Sequence, residues 1–324
     1  MNPADTEAEP HEPHWISRAA FQVVSIFFFS TQAALAVAVH RGWFWLAVPL
    51  MLIACHLMHG FLIGFHEASH SLLRKNRIFN DFEGVLIGVF SFLSFTLYRV
   101  VHQTHHAHLA TERDDELWPF VRTRAPRWAR CLAAFLELNF GIFYSPVIFL
   151  RGFFRKGSPV RSRRVRARIW AELALMTVVW IGVVWAVAHW ELWKYFVWMY
   201  ALPAFIAGNL QSWRKYIEHV GMTGATVNSS TRSIVAKTAL GRIVAFTLLH
   251  EPFHGVHHRR AGLPHAELPG HAGDLRPVAE DDCAPFPSYR HAFFHLIRSL
   301  ANPRAGAQWR ESAKSRQPLA HANA

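Results

Sequence analysis

Two pairs of long apolar segments constrain the fold of this chain more than any other feature of its sequence. Residues 19–39 and 43–65 form the first pair, residues 169–188 and 192–210 form the second, and three residues separate the members of each pair. A helix of about 20 residues is long enough to cross ~30 Å of hydrocarbon. The sequence therefore predicts an all-α integral-membrane protein with four transmembrane helices arranged as two hairpins.

The composition supports a membrane location and argues against nucleic-acid binding. Hydrophobic residues make up 52% of the chain and charged residues only 17%, whereas a soluble domain usually carries about 25% charged residues. The formal net charge is +12, but the basic residues concentrate beside apolar segments, and residues 151–168 alone contain eight of them. This distribution is typical of membrane proteins. By the positive-inside rule, residues 151–168 are expected to face the cytoplasm.

Two shorter or interrupted apolar stretches lie between the predicted hairpins. Residues 84–98 are too few to span the hydrocarbon comfortably, and residues 131–154 contain Glu137 and Pro146. We expect both stretches to be interfacial helices, the first of them re-entrant or interfacial. In that case only the two hairpin turns face the far side of the membrane, and the rest of the polar chain forms a cytoplasmic helical cap.

The two ends of the chain are polar. Residues 1–14 contain prolines and acidic residues, so we expect a disordered tail there. Residues 15–300 are predicted to form a single membrane domain, and residues 301–324 a flexible tail.

Three histidine-rich motifs lie in the predicted cap. They are HEASH at residues 66–70, HQTHH at residues 102–106 and HGVHH at residues 254–258. In a helix, positions i, i+3 and i+4 share one face, so each motif would direct two or three imidazoles the same way. One zinc ion needs only three or four protein ligands, and imidazole also binds iron, copper and nickel. Eight converging imidazoles therefore favour two metal ions.

A ninth histidine, His219, follows the fourth apolar segment and would enter the same region. Nine imidazoles would give two metals four or five nitrogens each and leave positions open for dioxygen. Cys55, Cys131 and Cys283 are far apart and form no CxxC pair, which argues against a disulfide framework or a cysteine-based metal site.

Other interpretations stay open on the residues alone. HEASH is also an HExxH sequence, in which Glu67 would be the general base of a membrane zinc protease. That interpretation needs only one further ligand and leaves two motifs unexplained. A structural membrane protein with a fortuitous histidine cluster is a further alternative. Two irons per chain would support the first hypothesis, and one zinc would support the protease.

The order and spacing of the motifs resemble the integral-membrane fatty acid desaturase and hydroxylase superfamily, over roughly residues 44–270. The three-residue gap in the first motif is similar to acyl-lipid desaturases and alkane hydroxylases. Acyl-CoA desaturases carry an Asn ligand where this chain has Lys215, so that ligand is not carried over. The resemblance implies a non-haem di-iron centre held by His66, His70, His102, His105, His106, His219, His254, His257 and His258.

Further residues are expected around such a centre. Carboxylates would accept the imidazole N–H groups and fix the ring orientations. We expect Asp115 to be solvated, and His108 and His250 to be either neighbours of the metal ligands or unrelated polar residues. The substrate would enter between the spans, along aromatic side chains such as Phe90, Phe92, Phe95 and Trp213. The candidate carboxylates are Glu67, Asp81, Asp114 and Glu218.

The resemblance implies an oxidoreductase. The first hypothesis is a dioxygen-dependent lipid (fatty acyl) desaturase with two non-haem Fe ions, in the bacterial inner membrane, with its active site on the cytoplasmic side. A hydroxylase or ketolase acting on an alkyl chain or a carotenoid is the alternative. The sequence shows no haem-binding or cysteine-rich segment, so we expect electrons from a separate ferredoxin- or rubredoxin-like donor.

Overall fold

The computed structural model of this protein describes residues 15–310 and consists of helices joined by loops. The described chain also contains a π-helical turn, Val197–Ala201, and a 3-10 segment, His265–Leu275. The α-helices are α1 (Trp15–Arg18), α2 (Ala20–Arg41), α3 (Phe44–Ser69), α4 (Arg77–Phe90), α5 (Phe95–Ala107), α6 (Arg127–Phe154), α7 (Arg163–His189), α8 (Trp193–Phe196), α9 (Leu202–His219), α10 (Val227–Ser230), α11 (Ala239–Thr247), α12 (His254–Arg259) and α13 (Tyr289–Leu300).

The predicted all-α class is confirmed. Within residues 15–310 the only β-type pairing is an isolated bridge between Ile234 and Phe286. Four of the described helices are long and apolar enough to cross a membrane, namely α2, α3, α6 and α7. Helices α2, α3 and α7 contain three of the four predicted spans.

The fourth predicted span, residues 192–210, is not a single α-helix. It is divided among α8, the π-helical turn and α9. These pieces follow one another without a break, because Val197, Ala201 and Leu202 all have right-handed helical backbone angles. The segment 193–219 is therefore one continuous helical rod with a π-helical turn inside it. Helix α6 is instead the fourth described helix that is long and apolar enough to cross a membrane.

Helix α6 is kinked at Phe140, whose backbone angles are φ −135° and ψ 37°. The Asn209 side chain from α9 enters this break: its Oδ1 accepts from Gly141 N–H at 2.8 Å, and its Nδ2 donates to Asn139 C=O at 3.0 Å. A side chain that inserts into the helical hydrogen-bond ladder is a recognised cause of a kink. Asn209 thus satisfies backbone groups that the kink would leave unpaired.

Arginines at both ends of α6 bind the polar segments that we refer to as the cap, here the loop that holds Asp115 and the segment 301–310. Near its start, Arg130 donates to Pro303 C=O at 2.8 Å and to Asn302 Oδ1 at 2.6 Å. Just past its end, Arg155 makes two hydrogen bonds to Asp115, at 2.8 and 2.5 Å. The expectation that Asp115 is solvated is therefore wrong, because its side chain is fully buried and ion-paired.

Residues 301–310 pack against the domain and do not form part of a flexible tail. Gly221 N–H donates to Arg304 C=O at 2.7 Å, and Phe120 C=O accepts from both Ala305 N–H and Trp309 Nε1. Residues 1–14 and 311–324, also expected to be disordered or flexible, lie outside the described residues.

The stretch 84–98 is not one helix. Helices α4 and α5 meet at 101°, the geometry of a broken span or a re-entrant loop. Glu172 of α7 holds the corner, because its carboxylate accepts from Ser94 Oγ at 2.6 Å and from Thr96 N–H at 2.9 Å. The corner directs α5, with its HQTHH motif, toward the cap.

Helices α6 and α9 cross closely at two glycines. A Cβ atom placed on Gly208 would lie 2.8 Å from the backbone nitrogen of Ile142. We expect Gly208→Ala to lower the free energy of unfolding by about 1–3 kcal/mol, the usual cost of overpacking.

Gly182 of α7 is the control, because nothing would lie within 4 Å of a Cβ atom placed on it. Gly182→Ala should leave stability equal or raise it by up to about 1 kcal/mol. Unfolding by denaturant in detergent tests both; equal stability of the two variants would contradict the crossing.

Candidate metal centre

The structure brings all nine predicted histidines into one cluster. His66 lies in the last turn of α3 and His70 is the residue that caps it; three more come from α5, one from the last position of α9, and three from α12. Helical spacing places the histidines of each motif on one face, and the meeting of the helix ends brings the faces together. Six of the rings are buried and three are half-buried. The half-buried ones are His70, His106 and His258.

Five of the histidines form a first group, in which the candidate ligand atoms lie within 4.8 Å of one another. The Nε2 atom of His102 lies 3.0 Å from that of His70 and 3.1 Å from that of His106. The Nε2 atoms of His106 and His257 are 3.0 Å apart. His66 is the fifth member.

The other four histidines form a second group. The Nε2 atom of His254 lies 2.8 Å from that of His219 and 3.1 Å from that of His258. His105 belongs to the same compact set as His219 and His258. The nine imidazoles thus divide five and four, as two neighbouring metal sites would require.

The donor set fits metal binding. Two nitrogens bound to one ion at right angles, each about 2.1 Å away, lie about 3 Å apart, which matches the Nε2 separations in both groups. His66 adds a second observation: it is buried, and neither ring nitrogen makes a hydrogen bond within residues 15–310. A buried imidazole without partners is costly, and a metal ion would remove that cost.

Three carboxylates orient ligand rings through their Nδ1 atoms. His105 Nδ1 lies 2.8 Å from Asp114 Oδ2, and His102 Nδ1 lies 2.9 Å from Glu116 Oε2. Glu251 Oε1 lies 3.0 Å from the Nδ1 atom of His254. A carboxylate in this position fixes the tautomer, so that Nε2 faces the metal.

Sequence reasoning found Asp114 and missed Glu116 and Glu251. A signal existed for Glu251, which precedes His254 by three residues, the spacing of neighbours on a helix. Glu116 follows the second motif in the same acidic run as Asp114. Its role depends on a loop that returns to α5, and no periodicity predicts that path.

The remaining expected neighbours divide into two kinds. Glu67 and Glu218 lie beside the cluster: Glu67 Oε1 is 3.8 Å from His66 Nδ1, and Glu218 Oε2 is 3.7 Å from His254 Nε2. Glu218 therefore faces the metal side of the ring and groups with His219 and His254 as a set that could itself hold an ion.

Three further expected neighbours, Asp81, His108 and His250, make no hydrogen bond to the nine histidines within residues 15–310. Asp81 pairs with Arg99 at 2.5 Å and with Arg168 at 3.1 Å, away from the histidines. His108 caps the end of α5, and His250 lies in the turn before α12; neither side chain hydrogen-bonds to any of the nine histidines in the described part of the chain.

A buried arginine connects the two carboxylates that lie beside His254. Arg214 Nη1 lies 2.6 and 2.7 Å from the oxygens of Glu218 and 3.0 Å from Glu251 Oε1. Glu251 in turn contacts His254 and lies 3.5 Å from His66 Nδ1. Arg214 thus neutralises charge that would otherwise be buried without compensation.

The ionisation states outside the membrane helices suit a metal site. Burial, with the neighbouring imidazoles, holds the pKa of His257 and of His258 well below the usual value. Burial raises the pKa of Glu251, but the hydrogen bond to His254 and the charge of Arg214 outweigh it and lower the pKa. At neutral pH the two rings therefore keep a lone pair for a metal, while Glu251 stays ionised.

An apolar cavity of about 370 Å³ adjoins the cluster. Glu116, which contacts His102, lines it, and so does Tyr98, whose ring stacks on His102 at 5.2 Å. At its other walls, Phe29 is 65% exposed and Phe90 is 40% exposed, so the cavity reaches the apolar outer surface. Four aromatic residues were expected to contact substrate, and one of them, Phe90, lines this cavity. The other three, Phe92, Phe95 and Trp213, are not among its lining residues.

The family model for fatty acid desaturases matches residues 43–290, which is most of the chain. The chain belongs to the fatty acid desaturase family. This membership makes the protein an oxidoreductase of desaturase or hydroxylase type and, with its apolar helices, a membrane protein. No curated protein matches the chain significantly.

Proposed function

We propose that this desaturase-family protein is a dioxygen-dependent lipid desaturase with two non-haem irons held by the nine histidines. The observation that carries the proposal is the division of nine imidazoles into two groups directly beside an apolar cavity. Imidazole suits iron, and neither group requires a cysteine or a haem. The family assignment favours this function over the HExxH zinc protease, for which at least six of the nine histidines would have no use.

The roles of the residues follow from their contacts. Bound iron would supply the reduction of dioxygen to an oxidant able to attack an unactivated C–H bond. Asp114, Glu116 and Glu251 hold ligand rings in orientation. The aromatic walls of the cavity exclude water and align an alkyl chain past the cluster. Desaturation removes two hydrogens from the chain, while dioxygen, two electrons and two protons become two water molecules.

The same proposal places the active site on the cytoplasmic side of a bacterial inner membrane. The histidines of α3, α5, α9 and α12 meet at one place, so the ends of these helices must share one side. Both ends of α6 carry arginines that bind the cap, and arginines favour the cytoplasmic side. We therefore propose that α6 lies along the interface, as its sequence suggested, and that α7 and the rod 193–219 form the second hairpin.

A lipid mass profile tests the function. Membranes containing the wild-type protein are supplied with NADH, ferredoxin reductase and ferredoxin, because we propose a separate ferredoxin- or rubredoxin-like electron donor. We expect loss of two hydrogens from an acyl chain with the wild type and no product with His254→Ala, whose ring lies in the second histidine group. A gain of one oxygen would instead identify a hydroxylase or ketolase.

Metal analysis of the same purified protein is the second measurement. Two irons per chain are expected. One zinc per chain, or equal product from wild type and His254→Ala, would contradict the proposal.

A further inference from the structure

Three of the polar side chains that line the apolar cavity lie on a single turn of α9; the other polar lining residues include Ser91, Glu116, Glu137 and Ser145. Gln211, Ser212 and Lys215 all line the cavity. Residues i, i+1 and i+4 of a helix fall within one turn. Most other lining residues are apolar, from α2, α3, α4 and α6. A cavity that received only hydrocarbon would have no use for three polar side chains at one place.

Ser212 has an unused hydroxyl. The residue is 2% exposed, and its Oγ makes no hydrogen bond within residues 15–310. A serine in a helix often donates to the carbonyl one turn back, as Ser91 does to Ile87 C=O at 2.8 Å. Ser212 makes no such bond. Since a buried polar group without a partner is costly, the hydroxyl indicates a ligand group that is absent from the protein itself.

Gln211 has a free amide nitrogen. Its Oε1 accepts from Arg214 Nε at 3.3 Å and lies 3.1 Å from His59 Nε2. An arginine can only donate, so this contact fixes the orientation of the amide. The Nε2 group then remains as a donor, and it makes no hydrogen bond to any described residue.

Lys215 also has one N–H donor that makes no hydrogen bond to a described residue. Its ammonium group donates to a Glu137 carboxylate oxygen and, at 3.4 Å, to the Glu116 backbone carbonyl. These contacts use two of its three N–H bonds. The second carboxylate oxygen of Glu137 accepts from Tyr216 at 2.9 Å. Both carboxylate oxygens of Glu137 are thus engaged, while Gln211, Ser212 and Lys215 offer donors.

We infer that the substrate of this protein carries an accepting oxygen, as a hydroxyl or carbonyl group, that binds these three donors inside the cavity. The inference rests on the proposed function, because it takes the cavity as the substrate site. Lys215 contacts Glu116, and Glu116 contacts the candidate ligand His102. The oxygen therefore lies close to the metal end of the cavity, and a plain alkane is a poorer ligand than its oxygenated counterpart.

Equilibrium binding of radiolabelled hexadecane and 1-hexadecanol to the purified full-length protein, in one detergent, tests this. The two probes partition differently between micelle and water, so the quantity compared is the ratio of their Kd values across variants. In Ser212→Ala we expect the preference for the alcohol to fall about fivefold, the effect of one neutral hydrogen bond. The hexadecane Kd should stay constant, which shows that the cavity is intact.

Ser91→Ala is the matched control, because Ser91 also lines the cavity but its hydroxyl is already bonded within α4. That variant should keep the wild-type ratio. An unchanged ratio in Ser212→Ala would overturn the oxygen-binding role and leave the desaturase proposal standing. Failure of the wild type to bind either probe would overturn both.

Discussion

His257→Ala is expected to lower turnover at least about 100-fold and to reduce bound iron from two ions per chain to about one. His257 is fully buried in the five-histidine group, and its Nε2 lies 3.0 Å from that of His106. Alanine removes one ligand and leaves an opening at the centre of the group. The four-histidine group keeps all its members and should retain its ion. Iron analysis of the purified variant, together with the lipid mass profile, measures both effects.

His108→Ala is the control for this prediction. His108 lies two residues beyond the second motif and is half-buried, yet its side chain hydrogen-bonds to none of the nine histidines in the described structure. Iron content and turnover should equal those of the wild type. If His257→Ala retained two irons, or if His108→Ala lost iron to the same extent, the assignment of the five-histidine group would be wrong.

Arg214→Met is expected to lower the free energy of unfolding by about 3–5 kcal/mol and to reduce iron binding. Removing one partner of a buried ion pair leaves the other charge uncompensated, which has a cost of this size. Here two carboxylates, Glu218 and Glu251, lose their shared guanidinium, and all three side chains are at most 6% exposed. Glu251 also orients His254, so the effect should reach the metal. Denaturant unfolding and iron analysis are the measurements.

Two comparisons separate charge compensation from general damage. Arg168 also contacts two carboxylates, those of Asp81 and Glu172, but its side chain is 47% exposed; Arg168→Met should cost only about 0–1 kcal/mol. In the Arg214→Met background, Glu218→Gln removes one buried charge and should recover part of the lost stability. Equal losses in Arg168→Met and Arg214→Met would contradict this account.

Local spacing explains why much of this molecule could be predicted. A run of about 20 apolar residues specifies a membrane-length helix wherever it occurs, and three such runs became α2, α3 and α7. The HxxHH spacing places imidazoles on one face of any helix, and α5 and α12 present them so. These features depend on neighbours in the sequence, and they led to the all-α class and to the family.

What only the tertiary structure decided depends on contacts between distant segments. Glu116 reaches His102 because the loop after α5 folds back, and Arg214 reaches Glu251 across 37 positions of sequence. Helix α6 qualifies as a span by composition, yet both its ends bind the cap. Composition and periodicity are properties of one segment, whereas the partner of a buried charge is set by the packing of all of them. The sequence therefore determined which imidazoles could serve as ligands, and the packing decided how they divide and which carboxylates orient them.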